Sequence, residues 1–199
     1  AWSNFGGIYV ELLEKLGPTS FVGYDTLECG AIVNALICDG EVAERLEAGQ
    51  EGEIILSTTP FYAEMGGEVG DTGIIFAGES VARVLDTKAP EAGLTVHKVK
   101  IESGSFSVGE EVTASDDEKR RASIARNHTC THILHAALRE VLGAHVKQAG
   151  SYVGPDRLRF DFTHFEALTP EQIAQVEELA NSYIMQAIPT TRYETSLDE

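Results

Sequence analysis

The sequence predicts an α+β protein in which a β-rich part precedes a part that is built on a long helix. Between residues 21 and 113, six short apolar runs follow one another at intervals of roughly ten residues, separated by glycine, aspartate or proline. This spacing is typical of an antiparallel β-barrel or sandwich. A long helical stretch over 115–142 and a hairpin pattern after it indicate helix packed on sheet.

The N-terminal half divides into a lead-in and a β-rich subdomain. Residues 1–17 form the lead-in, because residues 8–17 have the pattern of a short helix that ends at Gly17 and Pro18. Residues 18–114 form the β-rich subdomain. Its predicted strands cover residues 31–38, 53–58, 73–76, 81–85, 94–101 and 110–113.

Residues 115–199 form the second predicted domain. Ser115, with Glu118 three positions later, matches a capping box that would begin the long helix, and Gly143 would end it. Residues 146–153 and 158–162 flank a turn at 154–157, and apolar and polar side chains alternate over 157–162, which predicts a hairpin with one buried face. Thr169 matches the cap of a second helix with proline at its first position.

The last ten residues carry two further predictions. Residues 190–195 are predicted as an edge strand, and residues 196–199 match a third capping box. We therefore expect the sequence to stop at the start of a helix.

A pair of histidines is the most informative feature of the long helix. His128 and His132 lie four residues apart, so both imidazoles project from one face and could share a metal ion. Zinc takes three protein ligands plus water, or four protein ligands, so the pair alone is incomplete and could equally be two helix-surface residues. Thr131 lies close enough around the helix to add a hydroxyl to the same pocket. Cys130 points away from the pair and is predicted to be a small core residue.

Four glycines form a second candidate site within residues 59–73. Gly66, Gly67, Gly70 and Gly73 would allow positive φ angles and close approach to another backbone or to a ligand. The segment has neither the GxxxxGK nor the GxGxxG pattern, so a nucleotide-phosphate cradle is not indicated. A tight turn system and a binding role are equally compatible with these residues.

Charge is distributed unevenly along the chain. The formal net charge is −17, which argues against a general nucleic-acid or DNA binder. Residues 119–160, however, hold eight basic and two acidic residues, a local charge of +6, while the rest of the chain carries −23. This segment would favour a phosphate-bearing ligand beside the histidines, although a solvated basic helix gives the same pattern.

Composition excludes several classes of protein. The three cysteines have no CxxC spacing, so neither a disulfide framework nor a zinc ribbon is indicated, and a reducing cytosol is the simplest location. No apolar run approaches the roughly 20 residues that a membrane span requires. The first residues lack a signal-peptide pattern. We expect a cytoplasmic protein with no membrane partner.

Four ordered motifs resemble one family. Residues 59–73, 126–135, 145–150 and 157–164 are similar to alanyl-tRNA synthetase, in particular its post-transfer editing region, and residues 22–28 extend the likeness. The resemblance implies a translation-factor-like β-barrel followed by a two-layer α/β editing domain, truncated at its C-terminus, with a long His-bearing helix. It also implies that the aminoacylation domain, which joins alanine to tRNA(Ala) using ATP and Mg²⁺, would precede residue 1.

The resemblance also implies an editing reaction and its residues. The reaction is hydrolysis of serine or glycine wrongly attached to tRNA(Ala), at a site with zinc held by His128, His132 and two ligands of a later CxxxH motif. This sequence contains no CxxxH motif, so the zinc site is expected to be incomplete here and the isolated fragment inactive or impaired. Thr131 and Gln148 match editing-pocket residues, Thr131 for reading serine and Gln148 for orienting the ester or the attacking water.

The basic residues nearest the histidines are the candidates for contact with tRNA. Arg120, Arg121, Arg126 and Lys147 are predicted to guide the acceptor end, and helix solubility is their alternative role. Two other functions remain possible at this point. One is a free-standing trans-editing deacylase, and the other is a noncatalytic module that positions tRNA.

Overall fold

A computed structural model describes residues 6–187 and residue 189. In this part of the chain the protein has the predicted α+β composition, with three helices and thirteen strands. The predicted edge strand at 190–195 and the third capping box at 196–199 lie outside the described residues, as do residues 1–5 of the lead-in. Within residues 6–187, no helix is both long and apolar enough to cross a membrane.

The elements have the following bounds. The helices are α1 Gly6–Leu16, α2 Glu118–Leu142 and α3 Pro170–Met185. The strands are β1 Ser20–Phe21, β2 Glu28–Cys38, β3 Glu41–Ala43, β4 Arg45–Glu47, β5 Glu51–Leu56, β6 Thr58–Thr59, β7 Gly73–Ala77, β8 Ser80–Glu91, β9 Leu94–Ser103, β10 Ser105–Ser107, β11 Glu111–Asp116, β12 Gln148–Val153 and β13 Leu158–Phe162.

Six antiparallel strands close into a barrel. The order of hydrogen-bonded neighbours is β11-β7-β8-β9-β5-β2, and β2 pairs again with β11. Of the two architectures that the strand spacing allowed, the barrel is therefore confirmed. Closure removes the exposed sheet edges that an open sandwich would have to protect.

Apolar side chains from alternating strand positions fill the barrel. Phe61, Phe106 and Leu36 are among its largest fully buried side chains, and Ile54 and Ile101 join them. The alternation follows from the two-residue period of a strand, which directs every second side chain inward. This core fixes both ends of the glycine-containing segment 59–73.

Helix α1 packs on the outside of the barrel. Tyr9 and Leu12 are buried against Ile37, Ile55 and Leu94, in a second apolar cluster. The helix follows the prediction for residues 8–17, and Gly17 takes the left-handed conformation with a φ of 75° directly after it. The described part of the lead-in, residues 6–17, thus includes a helix packed on the barrel.

The start of α2 differs from the prediction. The capping box at Ser115 is wrong, because Ser115 lies in β11 and pairs with both Glu28 and Ile74 of the neighbouring strands. Barrel closure holds Ser115 in extended backbone. The N-cap of α2 is instead Asp117, whose side chain accepts a hydrogen bond from the Arg120 amide. The helix then runs for 25 residues to Leu142.

The second layer forms around α2, α3 and the β12–β13 hairpin. Ala137, Leu138, Val146 and Val176 are buried there, with Phe160 and other partly buried side chains packed around them. The predicted hairpin is confirmed by its antiparallel register. At the N-terminus of α3, Thr169 and Gln172 form the predicted reciprocal capping box, and Pro170 is the first residue of the helix.

Candidate functional site

The two histidines of α2 converge on one point. Their Nε2 atoms are 3.1 Å apart, and the two ring centroids are separated by 5.1 Å. Zn–N bonds of about 2.0–2.1 Å place two nitrogens of a tetrahedral site roughly 3.3 Å apart, close to the spacing found here. The spacing of His128 and His132 therefore fits two ligands of one metal ion.

A carboxylate holds the other side of the first imidazole. His128 Nδ1 is in hydrogen-bonding contact with Glu68 Oε2, and Glu68 Oε1 lies 2.5 Å from Arg121 Nη1. The Glu68 side chain is only 5% exposed. Sequence reasoning did not single out Glu68, although it lies within the glycine segment and is one of three acidic residues between residues 59 and 73.

The glycines act as structural positions around Glu68. Gly67 has a φ of 89°, and a Cβ added to it would lie 2.5 Å from the Ser151 carbonyl oxygen. A Cβ on Gly70 would lie 2.2 Å from the Thr87 carbonyl oxygen. These close approaches to backbone are consistent with the tight turn system that the sequence left open.

The other two glycines of the motif differ from each other. Gly66 also has positive φ, at 62°, with open space around its Cβ position. A Cβ on Gly73 would lie 2.2 Å from the Ser115 carbonyl oxygen, where β7 pairs with β11. Only Gly66 thus leaves room for a side chain, and its positive φ still favours glycine.

Main-chain hydrogen bonds attach the glycine segment to the second layer. The Val153 amide donates to the Gly67 carbonyl at 2.7 Å, and the Val69 amide donates to the Val153 carbonyl at 3.0 Å. The barrel and the β12–β13 hairpin therefore hold Glu68 from both sides. This arrangement explains how a residue 60 positions before His128 comes to face it.

A buried pair of acids lies beside Arg121. Asp71 accepts a hydrogen bond from the Tyr62 amide at 2.8 Å, and its Oδ1 is 3.7 Å from Arg121 Nη1. Burial, together with the hydrogen bond to Asp71 and the charge of Asp71, raises the pKa of Asp116 to about 9. Asp116 is therefore neutral at pH 7, and its proton can form the hydrogen bond to Asp71.

A cavity of about 970 Å³ opens beside the histidines. Tyr24, Tyr62 and Arg126 line it together with the two imidazoles, and α3 contributes its far wall. Cys130, predicted to be a core residue, is half-buried and lines this cavity, because the cavity extends around α2 towards α3. The space is large enough for a small organic group next to the converging nitrogens.

Thr131 and Gln148 lie apart from the cavity wall. Thr131 is 6% exposed, and its hydroxyl donates to the Asn127 carbonyl at 3.0 Å, one turn earlier in α2. Gln148 is exposed at the start of β12, opposite Phe162 of β13. Neither residue is among those found to line the cavity in the described part of the chain.

The four predicted tRNA-contacting residues fall into two pairs. Arg120 donates to the Gly70 carbonyl at 2.9 Å, and Arg121 is held by the buried carboxylates. Arg126 and Lys147 are exposed, and Arg126 bonds only to the nearby Ser123 hydroxyl. Two of the four charges are thus engaged within the fold.

The remaining metal ligands are not found in the described residues. Among residues 6–187 and residue 189, no group of three or more His, Cys, Asp or Glu side chains is arranged to hold a metal ion. The donor set present is therefore a half-site of two imidazoles, with Glu68 behind one of them.

Comparison with known proteins shows which class of protein the chain is similar to. The model of a family described as tRNA synthetases class II (A) matches residues 8–120, more than half of the chain. Over 197 residues the chain is 46% identical to the alanine–tRNA ligase of Pelotomaculum thermopropionicum and 48% identical to that of Acetivibrio thermocellus. It is also 48% identical over 183 residues to the alanine–tRNA ligase of Myxococcus xanthus.

These matches cover 99%, 99% and 90% of this chain, in the same order, but only 22%, 22% and 20% of the relatives. The chain therefore belongs to the alanyl-tRNA synthetase family within class II, and it spans about a fifth of the length of the curated relatives it matches.

Proposed function

We propose that this region carries the post-transfer editing function of an alanine–tRNA ligase. The reaction is hydrolysis of the ester that joins serine or glycine to tRNA(Ala). In the whole protein, an aminoacylation domain would attach alanine to the same tRNA with ATP and Mg²⁺. We place this activity in the cytoplasm, where tRNA is charged.

The observation that carries the proposal is the converging histidine pair at the wall of the cavity. The two Nε2 atoms are 3.1 Å apart, and the adjacent space of about 970 Å³ would admit an aminoacylated tRNA terminus. Arg126, at the same wall, would attract the phosphates that precede the terminal nucleotide. Metal ligands, space and positive charge thus occur together.

Zinc is the metal that the donor set fits. His128 and His132 would hold it through Nε2, and two further ligands would come from the family's CxxxH motif, which this sequence lacks. When bound, zinc supplies Lewis acidity to a water molecule or to the ester carbonyl. Glu68 keeps the first imidazole oriented, and the cavity wall limits the size of the group that enters.

Selectivity for serine would depend on the hydrogen bonds around the pocket. A site that hydrogen-bonds a hydroxyl can reject the analogue that lacks it by about 10⁴–10⁵, far more than a size sieve achieves. The Thr131 hydroxyl gives its proton to the Asn127 carbonyl and lies off the cavity wall, so a role in reading serine requires this hydroxyl to turn towards the substrate. Gln148, at the exposed start of β12, would orient the ester or the attacking water.

Contact with tRNA would rest mainly on Arg126 and Lys147. Both are exposed, whereas Arg120 and Arg121 bond to the glycine segment and would support the site from within. Exposed charges release counterions when they meet phosphate, so they govern the salt dependence of tRNA binding.

The domain division remains part of the proposal. We assign residues 1–17 to a lead-in, residues 18–114 to the barrel subdomain and residues 115–199 to the editing domain. Strand β11 ends at Asp116 and α2 begins at Glu118, which supports a boundary close to residue 115.

The test is seryl-tRNA(Ala) deacylation by this chain and by a longer chain that includes the CxxxH motif. We expect hydrolysis by the longer chain and little or none by the 199-residue chain, because the latter has only two of the four ligands. Full activity in the short chain would refute the account of the missing ligands. Inactivity of both chains would refute the editing function.

A noncatalytic role in positioning tRNA is the second candidate. It is favoured by the finding that, among the described residues, no three or more His, Cys, Asp or Glu side chains are arranged to hold a metal ion. In that case tRNA(Ala) would bind to both chains with the same salt dependence, and neither chain would hydrolyse the ester.

A further inference from the structure

We propose that Glu68 is a positioning residue that fixes the proton of His128 on Nδ1 and so directs the Nε2 lone pair towards a metal ion shared with His132. The inference rests on the proposed metal site. It concerns a residue of the barrel subdomain, whereas both histidines belong to α2. The barrel would therefore be part of the machinery that prepares the site.

The position of Glu68 is fixed by contacts on several sides. Arg121 Nη1 lies 2.5 Å from its Oε1, and the bonds between Gly67, Val69 and Val153 clamp the backbone around it. With its side chain 5% exposed, the carboxylate has little room to reorient. It can therefore accept a hydrogen bond from His128 Nδ1 without a further loss of side-chain conformational entropy.

The consequence for His128 follows from the chemistry of imidazole. A neutral ring carries one proton, and the partner of one nitrogen decides which nitrogen is the acceptor. A carboxylate at Nδ1 accepts but cannot donate, so the proton stays on Nδ1 and Nε2 becomes the ligand. His132 Nε2, at 3.1 Å, can then donate to that lone pair when no metal is present.

Arg121 and Asp71 complete this arrangement. The guanidinium lies between Glu68 Oε1, at 2.5 Å, and Asp71 Oδ1, at 3.7 Å, so it balances the buried negative charge. Arg121 and His128 both belong to α2 and are seven positions apart, which places them two turns apart on one face. Arg121, which holds Glu68, and His128, the proposed metal ligand, therefore contact the Glu68 carboxylate from the same face of α2.

The direct test is the ring tautomer of His128 in the metal-free 199-residue chain. Nitrogen-15 NMR of histidine-labelled protein, at a pH at which the imidazoles are neutral, distinguishes the Nδ1–H from the Nε2–H form. We expect the Nδ1–H form at His128 in the unsubstituted chain and its loss in Glu68→Ala. In Glu68→Gln, the single amide oxygen should face Arg121, which can only donate, so the amide NH₂ would face His128 Nδ1 and the Nδ1–H form should again be lost.

His97 provides the internal control. Its Nδ1 donates to the Ile54 carbonyl deep in the barrel, so its Nδ1–H signal should persist in every variant that remains folded. An Nε2–H form at His128 in the unsubstituted chain would overturn the inference. So would an unchanged His128 signal in Glu68→Ala with the His97 signal intact.

Zinc titration of the same substitutions in a longer chain that includes the CxxxH motif separates this inference from the proposed function. We expect Glu68→Ala and Glu68→Gln each to weaken Zn²⁺ binding about 10–100-fold, because neither side chain accepts from His128 Nδ1. His132→Ala, which removes one of the two imidazoles, is the control. Equal affinity in Glu68→Ala and the unsubstituted chain would overturn the positioning role. If the tautomer changes as expected but no protein binds Zn²⁺ at millimolar concentration, the positioning role stands and the proposed metal site fails.

Discussion

At the scale of single residues, two buried ionisable groups control how stability responds to pH. His97 is fully buried in the barrel, and burial lowers its pKa to about 4. Asp116 is buried beside Asp71, and its pKa is raised to about 9. Both groups are neutral at pH 7 in the folded protein, whereas in the unfolded chain Asp116 would be charged at pH 7 and His97 would become charged below about pH 6.5.

The first prediction concerns His97. The unfolded chain takes up a proton on this residue below about pH 6.5, whereas the folded protein does so only near pH 4. The residue therefore lowers the free energy of unfolding as pH falls between these values, by about 3 kcal/mol in total. Urea unfolding of His97→Gln should show a slope in that interval that is smaller by about one proton. Equal slopes in the two proteins would contradict a neutral buried His97.

The second prediction concerns Asp116, for which the sign is opposite. The unfolded chain loses this proton near pH 4 and the folded protein near pH 9, so stability falls as pH rises between them. The asparagine of Asp116→Asn can still donate a hydrogen bond to Asp71 but cannot ionise, so it removes this fall in stability with rising pH. We expect it to raise the free energy of unfolding by on the order of 2 kcal/mol at pH 8, with the gain vanishing below pH 4. A variant that is less stable than the parent at pH 8 would show that Asp116 is ionised in the fold.

At the scale of elements, the segment between β6 and β7 leaves no room for side chains at three of its glycines. Its backbone passes so close to its neighbours that side chains are excluded at Gly67, Gly70 and Gly73. The segment also carries Glu68 and Asp71 into the site. Its conformation and the geometry of the histidine pair are therefore linked.

The third prediction tests this close packing. Gly70→Ala would place a Cβ 2.2 Å from the Thr87 carbonyl oxygen, and we expect it to cost about 2 kcal/mol of unfolding free energy. Gly30→Ala, in β2 with nothing within 4 Å of the new Cβ, is the matched control and should be nearly neutral. Equal unfolding midpoints for the two variants would mean that the segment relaxes without cost.

Local signals allowed most elements to be predicted from sequence. Helix α1, the β12–β13 hairpin and the Thr169 cap depend on neighbouring residues, and all three are confirmed. The cap at Ser115 failed because pairing across the closed barrel outweighed a local pattern. The Glu68–His128 contact joins residues 60 positions apart, and no periodicity in the sequence could indicate it.

At the scale of the whole molecule, the barrel and the α2–α3 layer meet at the candidate site. Glu68 and Asp71 come from the barrel side and Arg121 and His128 from α2, while β12 pairs with the glycine segment. The sequence identified the histidines through their spacing, whereas the carboxylates that support them depend on the tertiary fold. The fold therefore joins the barrel and the histidine pair, which we propose to bind metal, in one unit.

The central claim is that His128 and His132 belong to the zinc centre of an editing site. It is tested most directly in a chain extended to include the CxxxH motif, by measuring bound zinc and seryl-tRNA(Ala) hydrolysis in the parent and in the variant with both histidines changed to alanine. We predict one zinc per chain and rapid hydrolysis in the parent, and the loss of both in the variant with folding retained. Zinc binding and hydrolysis that persist without the two histidines would contradict the account.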